Sequence, residues 1–240
     1  MSENNETNVV NENNDPNEEN NNEAVVEDKK PKKSVGREIF EWVYSIGIAV
    51  AIAFLIKGFL FDIVKVDGPS MEETLHNNDR LIVTKLGYQP HQGDIIILDS
   101  NYKKREVYFD KEAAKSGKEH LSGFEQFFKG FTLPKELSKV YYVKRIIATE
   151  GQTVNIEDGN VFVDGVKLDE PYIKGTTYPT DRNVEYPVTV SEGCVFVMGD
   201  NREHSTDSRV STLGEVKKEA ILGKAQIRLF PFTAMGSVYK

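Results

Sequence analysis

The feature that most constrains this chain is an apolar stretch over residues 42–61, which carries one charged side chain, Lys57, in 20 residues. A helix of that length spans about 30 Å, the thickness of the hydrocarbon core of a bilayer. Trp42 and Tyr44 lie where interfacial aromatic side chains would sit, and Lys57 is close enough to the end to reach the far surface. We therefore predict one transmembrane helix over residues 39–61.

The residues before this stretch predict its orientation. A basic cluster (Lys29, Lys30, Lys32, Lys33 and Arg37) precedes it, and the positive-inside rule keeps such a cluster in the cytoplasm. A cleavable signal peptide fits less well because the apolar run starts so far from the N-terminus. A buried helix of a soluble domain would need more chain around it. We expect a single-pass protein of the cell membrane, with a cytoplasmic N-terminus and an extracytoplasmic domain over residues 62–240.

Charge is distributed unevenly along the chain. Residues 1–28 contain nine acidic residues, ten asparagines and no Lys or Arg, which predicts a disordered acidic tail; with the basic flank it makes up residues 1–38. The rest of the chain holds 29 acidic against 30 basic residues. A nearly neutral domain without a strongly basic face argues against a nucleic acid partner.

Cysteine and histidine usage argues against bound metals. The single cysteine, Cys194, excludes an internal disulfide, a zinc site built on cysteines and a Cys-X-X-Cys redox motif. The four histidines are scattered without the spacing of metal ligands. We predict no metal and no cofactor.

Residues 62–240 carry the pattern of a β-rich domain. Apolar runs rich in β-formers recur at residues 63–66, 81–84, 95–98, 141–148, 153–156, 161–163, 195–198 and 225–230. Asp158-Gly159 and Asp164-Gly165 are hairpin signals between such runs. The pattern predicts an all-β, mostly antiparallel and partly barrel-like domain rather than alternating strands and helices.

Residues 100–140 interrupt this pattern, since they separate two strand signals by more than an ordinary loop length. Five of their apolar side chains fall three and four positions apart, on one face of a helix: Leu121, Phe124, Phe127, Phe128 and Phe131. The segment holds nine basic and six acidic residues. It is either a helical flap packed on the β-domain or an amphipathic helix on the membrane surface.

Three polar blocks carry candidate chemistry. Residues 66–75 read VDGPSMEETL, in which a strand ends at a Gly-Pro corner and Ser70 follows at once. Gly68 permits unusual backbone angles and Pro69 fixes its own φ, so the Ser70 side chain can be held in one direction. Taken alone this block is weak, because most serines after Gly-Pro simply occupy turns.

The second block, residues 142–147, reads YVKRII and places Lys144 in an apolar strand. Burial can lower the pKa of a lysine by up to about 3–5 units, and a neutral lysine amine is a competent general base for a serine hydroxyl. The alternative is a lysine on the solvent face of an edge strand. The third block, residues 199–209, reads GDNREHSTDSR and follows the apolar run 195–198.

In this order the three blocks resemble the motifs of the type I signal peptidase family. The resemblance covers about residues 36–235 apart from 100–140. It implies a membrane-bound serine endopeptidase that removes signal peptides from exported preproteins, with Ser70 as nucleophile and Lys144 as general base. It also implies that Ser205 hydrogen-bonds the lysine and that Asp207 and Arg209 form a structural ion pair.

Two positions depart from the family pattern. Glu73 stands where the family usually has proline. Gly68 stands where some members carry a hydroxyl that stabilises the oxyanion, so the backbone N–H of Ser70 must carry more of that role.

The substrate prediction follows from the same residues. Secretory cleavage sites carry small residues in an Ala-X-Ala-like pattern. Val66, Leu75 and Val143 flank the proposed pair and could form shallow apolar pockets that admit alanine. The predicted partners are preproteins and the lipid bilayer, and we expect the protein to act as a monomer.

Other protein classes fit the chain less well. A self-cleaving repressor with a Ser-Lys pair would need a DNA-binding domain in front of it. An inactive membrane scaffold would be expected to lack Ser70 or Lys144. A sortase-like enzyme needs a reactive cysteine, and Cys194 begins an apolar strand.

Overall fold

The computed structural model describes residues 35–239, except for the side chains of residues 35, 37, 38 and 54–59. The predicted disordered tail over residues 1–28 and the four lysines of the basic cluster lie outside the described residues. The described residues divide into two units, with the boundary between Ile46 and Gly47.

The boundary between the units falls inside the first helix, α1 (Val35–Phe59). A helix is predicted over residues 39–61, and α1 covers nearly all of that range. The first strand begins two residues after α1 ends. Within the described part of the chain, no helix is both long and apolar enough to cross a membrane. The span predicted for residues 39–61 includes the undescribed side chains of 54–59, and it stays a prediction.

The second unit is built on two sheets, and the strand pairs described within them are antiparallel, as predicted. The larger sheet has the order β1-β2-β11-β3-β4-β9-β10, with β12 paired to β11. Its strands are β1 (Phe61–Lys65), β2 (Arg80–Thr84), β3 (Ile95–Asp99), β4 (Tyr141–Thr149), β9 (Cys194–Met198), β10 (Val216–Lys217), β11 (Ile221–Phe230) and β12 (Gly236–Ser237).

The smaller sheet has the order β7-β6-β5-β8. Its strands are β5 (Thr153–Glu157), β6 (Asn160–Val163), β7 (Val166–Lys167) and β8 (Val188–Thr189). The two predicted hairpin turns join β5 to β6 and β6 to β7. Asp158 and Asp164 adopt φ of 48° and 52° beside glycines with positive φ, the conformation that two-residue hairpin turns require.

Neither sheet closes on itself within the described residues, so the barrel-like part of the prediction is not confirmed. In the larger sheet β1 pairs only with β2, and the two-residue β10 pairs only with β9. The period of apolar residues predicts strands, but closure depends on which edge strands meet, and no local pattern encodes that.

Both faces of the central strands are buried. In β3, Ile95 and Ile97 pack into a cluster beneath the Ser70 turn, whereas Ile96 and Leu98 pack into a second cluster on the opposite face. A third cluster around Phe196 joins residues of the smaller sheet to β4 and β9. These cores on either side hold β4 rigidly in the middle of the larger sheet.

The segment 100–140 forms two helices, α2 (Tyr102–Lys115) and α3 (Gly123–Gly130), and a short 3₁₀ turn (Lys135–Leu137). Helix α2 is fixed to the sheet by a buried ion pair between Arg105 and Asp99 at the end of β3. Asn101 adds hydrogen bonds from its side-chain amide to the carbonyls of Glu136 and Ser138. The flap interpretation therefore holds for α2, whereas α3 has no buried residue.

Candidate active site

Ser70 lies on the turn between β1 and β2, at the corner that the sequence predicts. Gly68 has φ of 101°, a conformation that favours glycine, and it directs the chain into the turn. After the serine, Met71 and Leu75 are buried in the core and anchor the turn from below. The half-buried Ser70 side chain is thus carried by a turn that is fixed on both sides.

Lys144 lies in β4 opposite Ile96 of β3, and 3% of its surface is exposed. Its Nζ donates hydrogen bonds to Ser70 Oγ at 2.8 Å and to the Val143 carbonyl oxygen at 3.0 Å. The ring of Tyr142, two residues earlier on the same strand face, has its centre 5.1 Å from Nζ. Residues far apart in the sequence are therefore in direct contact through their reactive atoms.

The surroundings of Lys144 raise the neutral fraction of its amine. Burial lowers the pKa of Lys144 from its ordinary value to about 8; the charges of Asp207 and Asp200 oppose this shift, and Arg209 adds to it. An amine with that pKa is neutral in about a tenth of the molecules at pH 7, whereas an ordinary lysine is almost entirely charged. The site thus holds a proton acceptor beside a serine hydroxyl.

The loop over residues 199–209 packs behind this pair and contains the ion pair between Asp207 and Arg209. Arg209 Nε and Nη2 each lie 2.9 Å from a different oxygen of the Asp207 carboxylate, and both side chains are fully buried. Asp207 also accepts from the Gly199 N–H at 3.0 Å, and Arg209 donates to the Arg202 carbonyl at 2.8 Å. Burial alone would raise the pKa of Asp207, but Arg209 holds it below its ordinary value.

Ser205 does not make the hydrogen bond to Lys144 that the resemblance implies. Its Oγ is buried and has no hydrogen-bond partner of normal geometry among the described residues, although it is near enough to Asp207 to help lower the pKa of that carboxyl. The Ser205 side chain instead lies against Gly199, where an added Cβ would overlap both the Ser205 hydroxyl and the Ser70 carbonyl oxygen. Only glycine leaves room at position 199.

Sequence reasoning gave no role to Asn201, which joins the loop to the nucleophile turn. Its backbone N–H donates to the Ser70 carbonyl at 3.1 Å, and its side-chain amide donates to the Pro69 carbonyl at 3.1 Å. The two hydrogen bonds hold the consecutive carbonyl groups of Pro69 and Ser70. The polar composition of residues 199–209 was the available signal, but it does not indicate which side chain faces Ser70.

A second missed feature is the buried pair Arg145–Asp200. Arg145 Nε and Nη2 lie 2.9 and 2.6 Å from the two carboxylate oxygens, and the guanidinium stacks 3.8 Å from the centre of the Tyr172 ring. Asp200 also accepts a hydrogen bond from the hydroxyl of Thr74 on the nucleophile turn. The residue next to the candidate base thus braces the same turn through Asp200.

The predicted oxyanion donor is available. The Ser70 backbone N–H donates to no acceptor within the described part of the chain. Gly68 contributes no side chain, and its own N–H donates to the Asn77 side chain at 3.2 Å. The Ser70 N–H is therefore free to meet a developing negative charge.

The three predicted substrate-contacting residues differ in exposure. Val66 and Leu75 are packed in the core under the turn, and Leu75 has no exposed surface. Val143 is half-buried and packs at the edge of the same cluster. Of the three, Val143 thus presents the most surface next to Ser70 and Lys144.

Comparison with known proteins identifies relatives over most of the chain. The family model described as signal peptidase, peptidase S26, matches residues 39–230. Signal peptidase I of Bacillus licheniformis is 35% identical over 217 residues, which cover 87% of this chain and 96% of the relative. Signal peptidase I T of Bacillus subtilis (strain 168) is 33% identical, covering 86% of this chain and 93% of the relative. A solved signal peptidase I from Enterococcus faecalis V583 is 25% identical, with a TM-score of 0.35, covering 57% of this chain and 97% of that one.

Proposed function

This chain belongs to the signal peptidase family, peptidase S26, and on that premise we propose that Ser70 is its nucleophile and Lys144 its general base. It is a serine peptidase of the signal peptidase I type, and such enzymes act on preproteins. The observation that carries the proposal is the 2.8 Å contact between Ser70 Oγ and the buried Nζ of Lys144.

The reaction follows from that contact. The neutral amine takes the Ser70 hydroxyl proton while Oγ attacks the scissile carbonyl carbon, and the backbone N–H of Ser70 stabilises the oxyanion. The resulting ammonium gives its proton to the leaving amine, which departs as the new N-terminus and leaves an acyl-enzyme. A water molecule, deprotonated by Lys144, then attacks the ester, and the proton returns to Ser70 as the acid product leaves.

The buried groups behind the pair position it. Asn201 holds the backbone around Ser70, and Asp200 holds Thr74 on the same turn. Asp207 and Arg209 form a closed ion pair that keeps loop 199–209 against Lys144. We propose that Ser205 forms a hydrogen bond with Lys144 once substrate binding allows its hydroxyl to turn. Its buried Oγ has no hydrogen-bond partner of normal geometry among the described residues and lies in loop 199–209, behind the base.

The cleavage-site preference is a further part of the proposal. The half-buried Val143 side chain lies beside the base, with Val66 and Leu75 in the core directly behind the nucleophile turn. Val143 is therefore the one of the three that can contact substrate, and we propose that its branched side chain limits the neighbouring subsite to small side chains. The proposed site is therefore Ala-X-Ala-like.

We also propose that the protein is attached to the cell membrane as a monomer, with its N-terminus in the cytoplasm and residues 62–240 outside. The support is the apolar run over residues 42–61 directly after the basic cluster. Protease added to cells stripped of their wall should digest the β-rich domain and spare the tail. Protection of the β-rich domain with loss of the tail would contradict the orientation.

The dyad is tested by two substitutions in the full-length enzyme, assayed on a preprotein with sequencing of the new N-terminus. Ser70→Ala should abolish cleavage. Lys144→Arg keeps the positive charge, but arginine stays protonated in proteins, so the variant should lose activity as completely as Ser70→Ala.

Lys167→Arg is the matched control, because Lys167 is exposed on β7 and should tolerate the change. Circular dichroism and thermal unfolding establish that each variant is folded. Substantial cleavage by folded Lys144→Arg protein would refute a general base at this position, and a new N-terminus that does not follow small residues would refute the proposed specificity.

A further inference from the structure

Helix α3 and its C-cap residue present four phenylalanine side chains to solvent: Phe124, Phe127, Phe128 and the C-cap Phe131, which are between 54% and 75% exposed. Their rings form one cluster, with centres 4.6 Å apart for Phe124 and Phe128 and 5.2 Å apart for Phe127 and Phe131. We call this cluster the aromatic face. A contiguous aromatic surface of this kind on a soluble domain marks a contact site rather than ordinary surface variation.

The orientation of α3 is the reverse of an ordinary surface helix, which turns its apolar side to the core. The polar side of α3 is attached to the protein: Lys129 Nζ lies 2.6 Å from a Glu112 carboxylate oxygen of α2, and Glu125 pairs with Lys118. Ser122 and Glu125 complete a capping box at the start of the helix. Because these contacts hold the polar side inward, the aromatic face is fixed outward.

The position of the insertion in the fold indicates what this face meets. Phe61 at the start of β1 pairs with Thr84, which pairs in turn with Lys224 near the start of β11. Ile221, also at the start of β11, pairs with Leu98, and the next residue of β3, Asp99, pairs with Tyr141 at the start of β4. The start of β1, the end of β3 and the start of β4 therefore lie at one end of the larger sheet. The insertion leaves and rejoins the sheet at the end where the chain arrives from α1.

The charge of the insertion indicates which kind of surface the aromatic face contacts. Residues 100–140 carry nine basic and six acidic residues. Lys135 and Lys139 follow α3, are exposed, and form no ion pair within residues 35–239. Exposed aromatic rings flanked by unpaired lysines match the boundary of an anionic bilayer, where the rings enter the acyl region and the ammonium groups meet lipid phosphates.

We propose that α3 lies on an anionic lipid surface with its aromatic face inserted at the boundary between head groups and acyl chains. This inference rests on the proposed function only in placing the domain at a membrane. It gives the enzyme a second lipid contact beside α1, one that fixes the orientation of the β-rich domain relative to the bilayer.

A fluorescent reporter tests the insertion directly in the full-length protein. The chain has one tryptophan, Trp42, so a Trp42→Phe background with Phe128→Trp places the only indole in the aromatic face. The protein is reconstituted into phosphatidylcholine vesicles with or without phosphatidylglycerol, using lipids with brominated acyl chains. We expect strong quenching of the Phe128→Trp emission, and more of it in the anionic vesicles.

The matched reporter is Tyr178→Trp in the same background, because Tyr178 is 60% exposed but lies outside the insertion. It should remain unquenched. Adding Phe124→Ser, Phe127→Ser and Phe131→Ser to the Phe128→Trp reporter should lower its quenching to the Tyr178→Trp level. Equal quenching of both single reporters, or none at Phe128→Trp, would overturn the proposal.

Two further readouts separate the alternatives. Emission changes that arise in detergent without lipid and grow with protein concentration would mean that a second copy covers the face, which also overturns the proposal. Cleavage of a short soluble peptide should be unchanged in the serine variants. If the wild-type protein does not cleave the peptide, the proposed function is contradicted, but the quenching result still stands.

Discussion

Loop 199–209 and helix α3 place charged side chains in opposite settings. In the loop, Asp207 and Arg209 are buried and bonded to each other and to the backbone. In the insertion, Glu112, Glu125 and their lysine partners lie at the surface, and the aromatic rings beside them face outward. Buried charges fix the reactive atoms in place, whereas surface charges only determine which side of a helix faces solvent.

The buried pair should show the largest effect. Asp207→Asn keeps the size of the side chain but leaves the buried Arg209 charge without its partner, which should lower the free energy of unfolding by about 3–5 kcal/mol. Chemical denaturation of the full-length chain measures the change. Asp169→Asn, the same substitution at an exposed position, is the control and should leave the midpoint in place. A change at Asp207 no greater than at Asp169 would mean that the pair does not stabilise the loop.

A substitution at the closely packed Gly199 should have the second-largest effect. An alanine there would overlap the Ser205 hydroxyl and the Ser70 carbonyl oxygen, so the nucleophile turn must shift. A displacement of about 1 Å costs on the order of 100-fold in rate, and we expect a loss of that size in kcat/KM. Gly130→Ala is the matched control because a Cβ at Gly130, in α3, meets no atom within 4 Å. Equal activity of the two variants would contradict the tight contact at residue 199.

The two regions should also differ in how their properties depend on pH, and the activity of the site comes first. Because Lys144 must be neutral to accept a proton and its pKa is lowered to about 8, kcat/KM should rise with pH up to about 8 and then level off. Below that pKa the neutral fraction falls about tenfold for each pH unit. A pH profile on a peptide substrate tests this, and a plateau extending down to pH about 6 would contradict Lys144 as the base.

The aromatic face should not follow that profile. Hydrogen bonds from Lys115 and Lys129 lower the pKa of Glu112 to about 2, and Lys118 with Ser122 does the same for Glu125. These carboxylates stay charged throughout the range in which Lys144 titrates. Lipid quenching of the Phe128→Trp reporter should therefore be constant where activity changes.

The smallest effect is expected from the surface ion pairs of the insertion. Glu112→Gln removes the carboxylate that Lys115 and Lys129 share, but both ammonium groups are open to water, which can replace the carboxylate. We expect a barely measurable change in the denaturation midpoint, far below that of Asp207→Asn. A comparable loss at both positions would remove the distinction between the two regions.

Much of the site could be predicted from the sequence because its signals are local. The Gly-Pro corner before Ser70, the lysine within an apolar strand and the dense polar block after β9 each depend on neighbouring residues. The antiparallel strands and the two Asp-Gly turns follow from the period-two pattern and from the positive φ that such turns need. Local sequence signals are therefore enough to predict the β-rich class of the domain and to single out Ser70 and Lys144 as the candidate pair.

How those residues come into contact depends on long-range packing. The 2.8 Å contact of Ser70 with Lys144, the bracing of the turn by Asn201 and the Arg145–Asp200 pair depend on strands brought together across the sheet. The absence of barrel closure among the described strands and the outward aromatic face of α3 depend on which surfaces find partners. The periodicity of a helix or strand indicates that it has an apolar side. Whether that side faces the core or the solvent depends on long-range packing and on ion pairs with other elements, such as that of Glu112, which no local pattern predicts.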